Sequence, residues 1–199
     1  MNYQKNIEYQ MRFIKTNIPD VILCEPTVLK DERGYFFESF NKEVFEKHLG
    51  KPIHFCQDNE AKSTKGVLRG LHYQLPPFAQ SKLVRVISGK VLDIAVDIRK
   101  SSATFGQYLA VELSGENKHQ FFIPAGFAHG YVVLSKEAIF SYKVDNYYHK
   151  ESERGIIYND PELQIDWKLT LSELIISEKD KIQSTFNKAD LFETNIFEG

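Results

Sequence analysis

Apolar and polar residues alternate most regularly in one stretch near the middle of the chain, residues 91–99. Its even positions carry Leu, Ile, Val and Ile, and its odd positions from 93 onward carry Asp, Ala, Asp and Arg. Because successive strand residues point to opposite faces of a sheet, this period of two predicts a strand with one apolar and one polar face. The Ser-Gly-Lys turn at 88–90 predicts a hairpin that returns this strand onto residues 83–87.

Further short runs of apolar and aromatic residues follow it at close spacing. Many short strands separated by turn residues are typical of an antiparallel sandwich or barrel. The predicted strands cover 108–113, 120–123, 131–134 and 138–144, and the residues that separate them are Gly115, Pro124, Gly126 and Gly130.

Helical patterns are weaker than the strand patterns. They predict a short helix at 42–48 and further helical turns within 169–190, where Ser172 and Glu173 could begin one. No repeat or low-complexity linker divides the chain. The sequence therefore predicts a mainly β protein: a polar extension at 1–10, then one double-sheet barrel domain at 11–199 with a helical C-terminal tail.

Composition narrows the function classes. Hydrophobic residues make up 42% of the 199 residues and charged residues 26%, which is typical of a globular domain, and the formal net charge is −2. The net charge of the chain therefore does not attract nucleic acid or an anionic membrane, and an anionic ligand would need a few placed Arg and Lys.

Cys24 and Cys56 are expected to be reduced. No apolar span and no signal peptide is visible, so we expect a cytoplasmic protein without membrane contact.

Two histidines lie in segments that can carry chemistry. His72 lies within an apolar strand-like run, 66–74, that also contains Arg69, and His129 lies in a turn-rich segment that enters another predicted strand. A buried, hydrogen-bonded structural histidine is the plain interpretation of each one alone. Metal-binding cupins place two histidines one residue apart, but here Gln74 occupies the second position. The sequence therefore predicts no catalytic metal, although single histidines on different strands could still converge with a carboxylate.

Strand parity raises a question about Arg69 and His72. In a regular strand, residues three apart point to opposite faces, but Gly70 between them could form a bulge that brings both to one face. Lys82 begins another predicted strand.

Eight segments, in this order, resemble the dTDP-4-dehydrorhamnose 3,5-epimerase family over roughly residues 11–180. They include the sequences DERGYFFESF, QDN, LRGLHYQ, KLVRV and SATFG. By number, the segments are 31–40, 57–59, 68–74, 82–86, 89–99, 102–106, 123–130 and 142–148.

The resemblance implies a cupin-type jelly roll that acts as a homodimer on a nucleotide sugar, without a metal or other cofactor. The implied reaction inverts carbons 3 and 5 of dTDP-4-keto-6-deoxy-D-glucose and yields dTDP-4-keto-L-rhamnose, a precursor in L-rhamnose and polysaccharide biosynthesis. His72 matches the base and Asp180 the carboxylate that orients it. Tyr142 matches the residue that returns a proton on the opposite sugar face, and Lys82 the cation near the carbon-4 oxygen.

The resemblance also implies the groups that bind substrate. Arg69 matches a diphosphate contact, His129 a histidine near the sugar, and Tyr147 is expected to stack on the base. Part of the pocket is expected to come from the neighbouring subunit. The residues that match nucleotide or diphosphate contacts are Arg33, Glu38, Gln57, Asn59, Glu153 and Lys179.

Each of these assignments has a plainer alternative. Asp180 lies in a mixed-charge segment that is also typical of a solvated helix face, Tyr142 could be a core residue, and Arg33 and Glu38 a surface pair.

Alternative functions stay open at this point. They are a single-carbon epimerase on a related 4-keto sugar, use of a guanosine-linked sugar, a cupin ketoisomerase, a metal-dependent cupin oxygenase and a noncatalytic sugar-binding cupin.

Overall fold

The computed structural model describes residues 11–18 and 20–193; the extension predicted at 1–10 lies outside the described residues. Within them the chain forms two six-stranded sheets and a two-stranded arm. The strands are β1 (Met11–Lys15), β2 (Ile22–Pro26), β3 (Leu29–Asp31), β4 (Gly34–Phe36), β5 (Gln57–Thr64), β6 (Val67–Gln74), β7 (Lys82–Ser88), β8 (Lys90–Asp97), β9 (Tyr108–Ser114), β10 (Gln120–Ile123), β11 (Phe127–Val133), β12 (Glu137–Val144), β13 (Glu153–Gly155) and β14 (Ile175–Ile176).

The chain passes repeatedly from one sheet to the other. The first sheet has the order β1-β2-β10-β7-β12-β5, the second has the order β13-β6-β11-β8-β9, and β14 also pairs with β6. The pairs are antiparallel except β14 with β6. Strands β5 to β8 alternate between the sheets, which is typical of a jelly roll. The predicted fold class, a mainly β cupin-type double-sheet barrel, is confirmed.

The predicted hairpin at 88–90 is wrong, although both of its strands exist. Strand β7 pairs with β10 and β12, whereas β8 pairs with β9 and β11 in the opposite sheet. The turn bonds to other loops: Gly89 O accepts from Gly115 N, and Lys90 N donates to Ser135 Oγ. With these bonds in place, the turn carries the chain from the first sheet to the second instead of closing a hairpin.

Strand β8 has the predicted alternation, but both of its faces are buried. Leu92, Ile94, Val96 and Ile98 pack against the C-terminal segment, where Trp167 completes their core. The opposite face points between the sheets, so its polar residues are not solvated. Asp93 on that face is completely buried.

Helical structure is short at both places where it is predicted. Helix α1 (Lys42–Leu49) confirms the expectation at 42–48; Asn41 caps its start by accepting a hydrogen bond from Val44 N, and Gly50 ends it in the left-handed conformation. The tail has one four-residue helix, α2 (Glu178–Lys181), and 3-10 turns at Leu171–Glu173 and Phe186–Lys188. The rest of the described tail is mostly irregular and covers the outer face of the second sheet.

Candidate active site

A bulge in β6 places Arg69 and His72 on the same face of the second sheet. His72 pairs with His129 and Arg69 pairs with Tyr131, so three steps along β6 match two along β11. Gly70 occupies the extra position at φ +127°, and a Cβ there would lie 2.5 Å from the Cα of Gly130. A glycine is needed because the neighbouring backbone is too close for any side chain.

Asp180 holds the imidazole of His72. Its Oδ1 lies 2.6 Å from Nε2 of His72, and its backbone N–H donates to Ser177 Oγ, which caps α2. Burial alone would raise the pKa of Asp180, but hydrogen bonds from His72, Ser177 and the Gly70 backbone together lower it. An ionised Asp180 keeps a proton on Nε2, so the Nδ1 atom of His72 carries the free lone pair.

Lys82 is a partly buried cation in the cavity between the sheets. It is the first residue of β7, and burial lowers its pKa to about 8 while the charges of Asp93 and Glu153 act in the opposite direction. A lysine in such a place interacts strongly with any negative charge that develops beside it, because little water screens the two.

Tyr142 lies on β12 in the sheet opposite His72. Its ring packs with the inner core beside Phe140, and burial raises its pKa while Arg69 opposes the rise. The phenol is therefore protonated at neutral pH and can donate a proton.

A cavity of about 560 Å³ between the two sheets brings these groups together. His72 and Tyr142 come from opposite sheets, so a ligand between them would meet a base and an acid on its two faces. Seven of the thirteen predicted site residues line this cavity, including all four that are predicted to be catalytic. They are His72, Lys82, Tyr142, Asp180, Arg69, His129 and Lys179.

Four other predicted residues lie outside the cavity lining. Asn59 pairs with Tyr142 across β5 and β12 and accepts a hydrogen bond from Gln57 Nε2 at 2.7 Å. Glu153 is ion-paired with Lys179 at 2.5 Å and accepts from Tyr148 Oη. Tyr147 is 63% exposed on the loop after β12.

The last two predicted residues, Arg33 and Glu38, are not part of this cavity. Arg33 lies in the turn of the β3–β4 arm, its side chain is 86% exposed, and it pairs with Asp31. Glu38 lines a separate crevice beside Phe40 and Phe45. The chain's own fold therefore does not bring these two residues to His72.

A second histidine–carboxylate pair was missed in the sequence. His129 Nε2 lies 3.0 Å from Asp93 Oδ1, and both side chains are buried. Burial raises the pKa of Asp93 and lowers the pKa of His129. In the sequence Asp93 is only a carboxylate on the polar face of a predicted strand; its burial, which makes a partner necessary, is visible in the structure.

Gln74, at the position where metal-binding cupins have a second histidine, organises loops. Its Nε2 donates to the carbonyls of Phe78 and Tyr147, and its Oε1 accepts from His149 N. Among residues 11–18 and 20–193, no three His, Cys, Asp or Glu side chains form a group that could hold a metal ion. No helix in this part of the chain is long and apolar enough to cross a membrane.

A histidine and a tyrosine that face each other across the cavity of a jelly roll fit the class of cupin-fold isomerases. The family model described as dTDP-4-dehydrorhamnose 3,5-epimerase matches residues 15–188. The chain therefore belongs to the dTDP-4-dehydrorhamnose 3,5-epimerase family.

Relatives and solved structures agree with this assignment. The dTDP-4-dehydrorhamnose 3,5-epimerase of Shigella flexneri is 56% identical over 182 residues, which is 92% of this chain and 99% of the relative. The crystal structure of the enzyme from Elizabethkingia anophelis superposes with a TM-score of 0.86 at 52% identity, covering 89% of this chain and 97% of that one. The dTDP-6-deoxy-D-glucose-3,5-epimerase of Legionella pneumophila, solved with dTDP-4-keto-L-rhamnose, gives 0.89 at 50% identity, covering 94% and 100%.

Proposed function

We propose that this chain inverts carbons 3 and 5 of dTDP-4-keto-6-deoxy-D-glucose to give dTDP-4-keto-L-rhamnose. The observation that carries the proposal is the position of His72, held by Asp180, across the cavity from Tyr142. Inversion at a carbon requires proton removal from one face and proton return on the other. Two proton-transfer groups on opposite sheets meet that requirement.

In the proposed first step, Nδ1 of His72 removes the proton next to the carbon-4 ketone. The imidazolium that forms is stabilised by Asp180 at 2.6 Å, whose lowered pKa keeps it ionised. A positioned base of this kind typically accelerates proton transfer about 10²–10⁴-fold.

The electrons of the broken C–H bond move to the carbon-4 oxygen and form an enolate, which we propose Lys82 stabilises. Lys82 is partly buried, and at neutral pH it is still protonated, below its pKa of about 8. One such donor to a developing oxyanion is worth about 3–4 kcal/mol. Tyr142 then gives its proton to carbon from the opposite face. The imidazolium of His72 releases its proton to solvent and solvent reprotonates the phenolate, so both groups are ready for the same exchange at the second carbon.

Substrate binding is proposed to start with the diphosphate. Arg69 and Lys179 line the cavity, and a guanidinium and an ammonium both suit phosphate oxygens. Lys179 is also paired with Glu153, and its ammonium has further N–H donors that can serve a phosphate oxygen. Gln57, Asn59 and Tyr147 are proposed to contact the nucleotide and His129 the sugar.

Arg33 and Glu38 support a proposal about quaternary structure. We infer that the chain acts as a homodimer in which the β3–β4 arm enters the cavity of the second copy, because the arm lies away from its own cavity. Tyr35 and Phe36 on this arm are more than half exposed, as expected for a segment that packs against another chain.

No metal or organic cofactor is proposed, since the acid–base groups supply every proton transfer. Treatment with EDTA should leave the rate unchanged.

Solvent deuterium incorporation tests the proposed reaction. The protein and dTDP-4-keto-6-deoxy-D-glucose are mixed in deuterium oxide, and the product is examined by mass spectrometry and proton NMR. Deuterium at carbons 3 and 5, lost in His72→Ala, supports the double epimerase. Label at one carbon would identify a single-carbon epimerase. Binding without label, also across a panel of 4-keto sugar nucleotides with other bases, would indicate a noncatalytic cupin.

A further inference from the structure

One hydroxyl group inside the cavity has no role in the proposed reaction. Tyr131 on β11 is 5% exposed, lines the same cavity as His72 and Lys82, and stacks on Phe140 with ring centroids 4.0 Å apart. Within the described part of the chain, its Oη makes no hydrogen bond. Buried polar atoms in folded proteins nearly always have a partner, so an unpaired one beside an open cavity indicates that the partner is a ligand.

Ser63 is a polar neighbour of this hydroxyl, but the two do not form a hydrogen bond of normal geometry. Ser63 lies close by and acts to lower the pKa of Tyr131, which burial raises overall. However, Ser63 Oγ accepts hydrogen bonds from Nε and Nη2 of Arg69 at 3.3 and 3.2 Å. Arg69 and Tyr131 therefore form a polar strip on the cavity wall, and Ser63 lies beside them outside the lining.

The position of Tyr131 along β11 indicates which part of a nucleotide sugar it would meet. It pairs directly with Arg69 on β6, and it is two residues from His129, which pairs with His72. In the function proposed above, Arg69 binds the diphosphate on carbon 1 and His72 acts at carbons 3 and 5. Tyr131 lies beside Arg69 at the diphosphate end and on the same face of β11 as His129, so it faces the sugar next to carbon 1, where carbon 2 carries a free hydroxyl.

We propose that Tyr131 Oη donates a hydrogen bond to the carbon-2 hydroxyl of the sugar, and so selects nucleotide sugars that carry an oxygen at this carbon. The assignment rests on the proposed function for the class of ligand. A site built to bond a hydroxyl discriminates against an analogue without it, because its own polar group is left unpaired. The uncharged phenol of Tyr131 suits a neutral hydroxyl, whereas the charged Arg69 suits the anionic diphosphate.

The test uses Tyr131→Phe, which removes one oxygen and keeps the stacked ring. Calorimetric binding is measured for dTDP, dTDP-D-glucose and dTDP-2-deoxy-D-glucose; the two sugars lack the ketone and cannot react. We expect Tyr131→Phe to bind dTDP-D-glucose about tenfold more weakly than the wild type, and the other two ligands equally well. The wild type should bind dTDP-2-deoxy-D-glucose more weakly than dTDP-D-glucose by the same factor of about ten.

Tyr73→Phe is the matched control. Tyr73 on β6 packs in the outer core, and its Oη donates to Asp190 O at 2.7 Å. This variant should lower Tm and leave all three affinities unchanged. Tyr131→Phe should instead keep or raise the Tm of the ligand-free protein, because it removes an unpaired buried group.

The outcomes separate this assignment from the proposed function. Equal binding of dTDP-D-glucose by wild type and Tyr131→Phe overturns the role of Tyr131 while the nucleotide-sugar assignment stands. A loss that also affects dTDP places the hydroxyl on the diphosphate and overturns the assignment to carbon 2. A wild type that binds none of the three ligands overturns the proposed function and this inference with it.

Discussion

His72 and Asp180 are 108 residues apart in the chain, and their side chains meet at 2.6 Å. The first residue belongs to a central strand of the second sheet and the second to the short helix of the tail. The tail is therefore part of the site as well as a cover for the outer core. Two backbone details make the contact: the bulge at Gly70 turns His72 inward, and Ser177 starts the helix that presents Asp180.

Asp180→Asn should lower kcat about 10²–10⁴-fold, because an amide cannot stabilise the imidazolium and favours the wrong tautomer of His72. The measurement is the rate of substrate conversion followed by proton NMR. Lys181→Ala is the control on the same helix, since Lys181 is partly exposed and pairs with Glu178. A variant Asp180→Asn that kept half of the wild-type rate would remove Asp180 from the mechanism.

Tyr142→Phe should separate proton removal from proton return. His72 and Asp180 remain intact, so the variant should still exchange substrate hydrogens with deuterium oxide through reprotonation from the His72 face. The epimerised product should fall about 10²–10⁴-fold for lack of the opposed acid. Mass spectrometry and NMR of recovered substrate measure both quantities. Parallel loss of exchange and product would mean that Tyr142 acts before or during proton removal.

The local features of the fold were predictable from sequence, and the pairing of strands was not. Period-two alternation and turn residues identified β8, and the run at 120–123 coincides with β10, because both signals depend on neighbouring residues only. The partner of β8 depends on contacts far along the chain. The turn at 88–90 was therefore misread as a hairpin, since Ser135 and Gly115 decide its direction.

The candidate site also contains some residues that could be predicted from the sequence and others that could not. His72 and Lys82 were identified through a family resemblance, and the structure brings them to one cavity. Asp93 and Tyr131 were missed because each has an ordinary explanation in the sequence: a carboxylate on the polar face of a strand and an aromatic residue in a core. Only the three-dimensional arrangement shows that the polar face of β8 points inward and that the Tyr131 hydroxyl lacks a partner.

Lys82 predicts a basic limb in the pH profile. Burial lowers its pKa to about 8, so the ammonium is charged below that pH and loses its charge as the pH rises through it. A profile of kcat/KM, which reports groups of the free enzyme, should therefore fall above pH 8. Lys82→Met should lose about 10²–10³-fold in rate and lack this limb.

Stability provides the control for Lys82→Met. The pKa of Lys82 is lower in the folded chain than its ordinary value of 10.5, so its protonated form destabilises the fold. That cost is fully present below pH 8 and disappears as the pH rises from 8 toward 10.5. Lys82→Met should therefore be at least as stable as the wild type at pH 7. A basic limb that persisted in this variant would belong to another group.

Gly70→Ala should unfold or strongly destabilise the protein, by more than about 4 kcal/mol, because the added Cβ would meet backbone atoms of Gly130 and His129 within 2.8 Å. Gly34→Ala is a matched control: its φ of +126° is nearly the same as the +127° of Gly70, but no atom lies within 4 Å of its Cβ. It should cost about 1–3 kcal/mol from backbone strain alone. Equal losses in urea unfolding would show that the contact with β11 contributes nothing.

Subunit mixing tests whether Arg33 serves the cavity of a second copy. His72→Ala lacks the base and should be inactive, and Arg33→Ala should be impaired if the arm contributes to binding. In a mixed dimer with exchanged arms, one cavity has both His72 and the partner's Arg33, and the other lacks both. Random reassembly should therefore restore about a quarter of the wild-type rate, because half of the dimers are mixed and each has one intact site. If Arg33 served its own cavity, every site in the mixture would lack one residue. The rate of the mixture would then equal the sum of the rates of the two variants measured alone. That result would show that the arm serves only its own subunit.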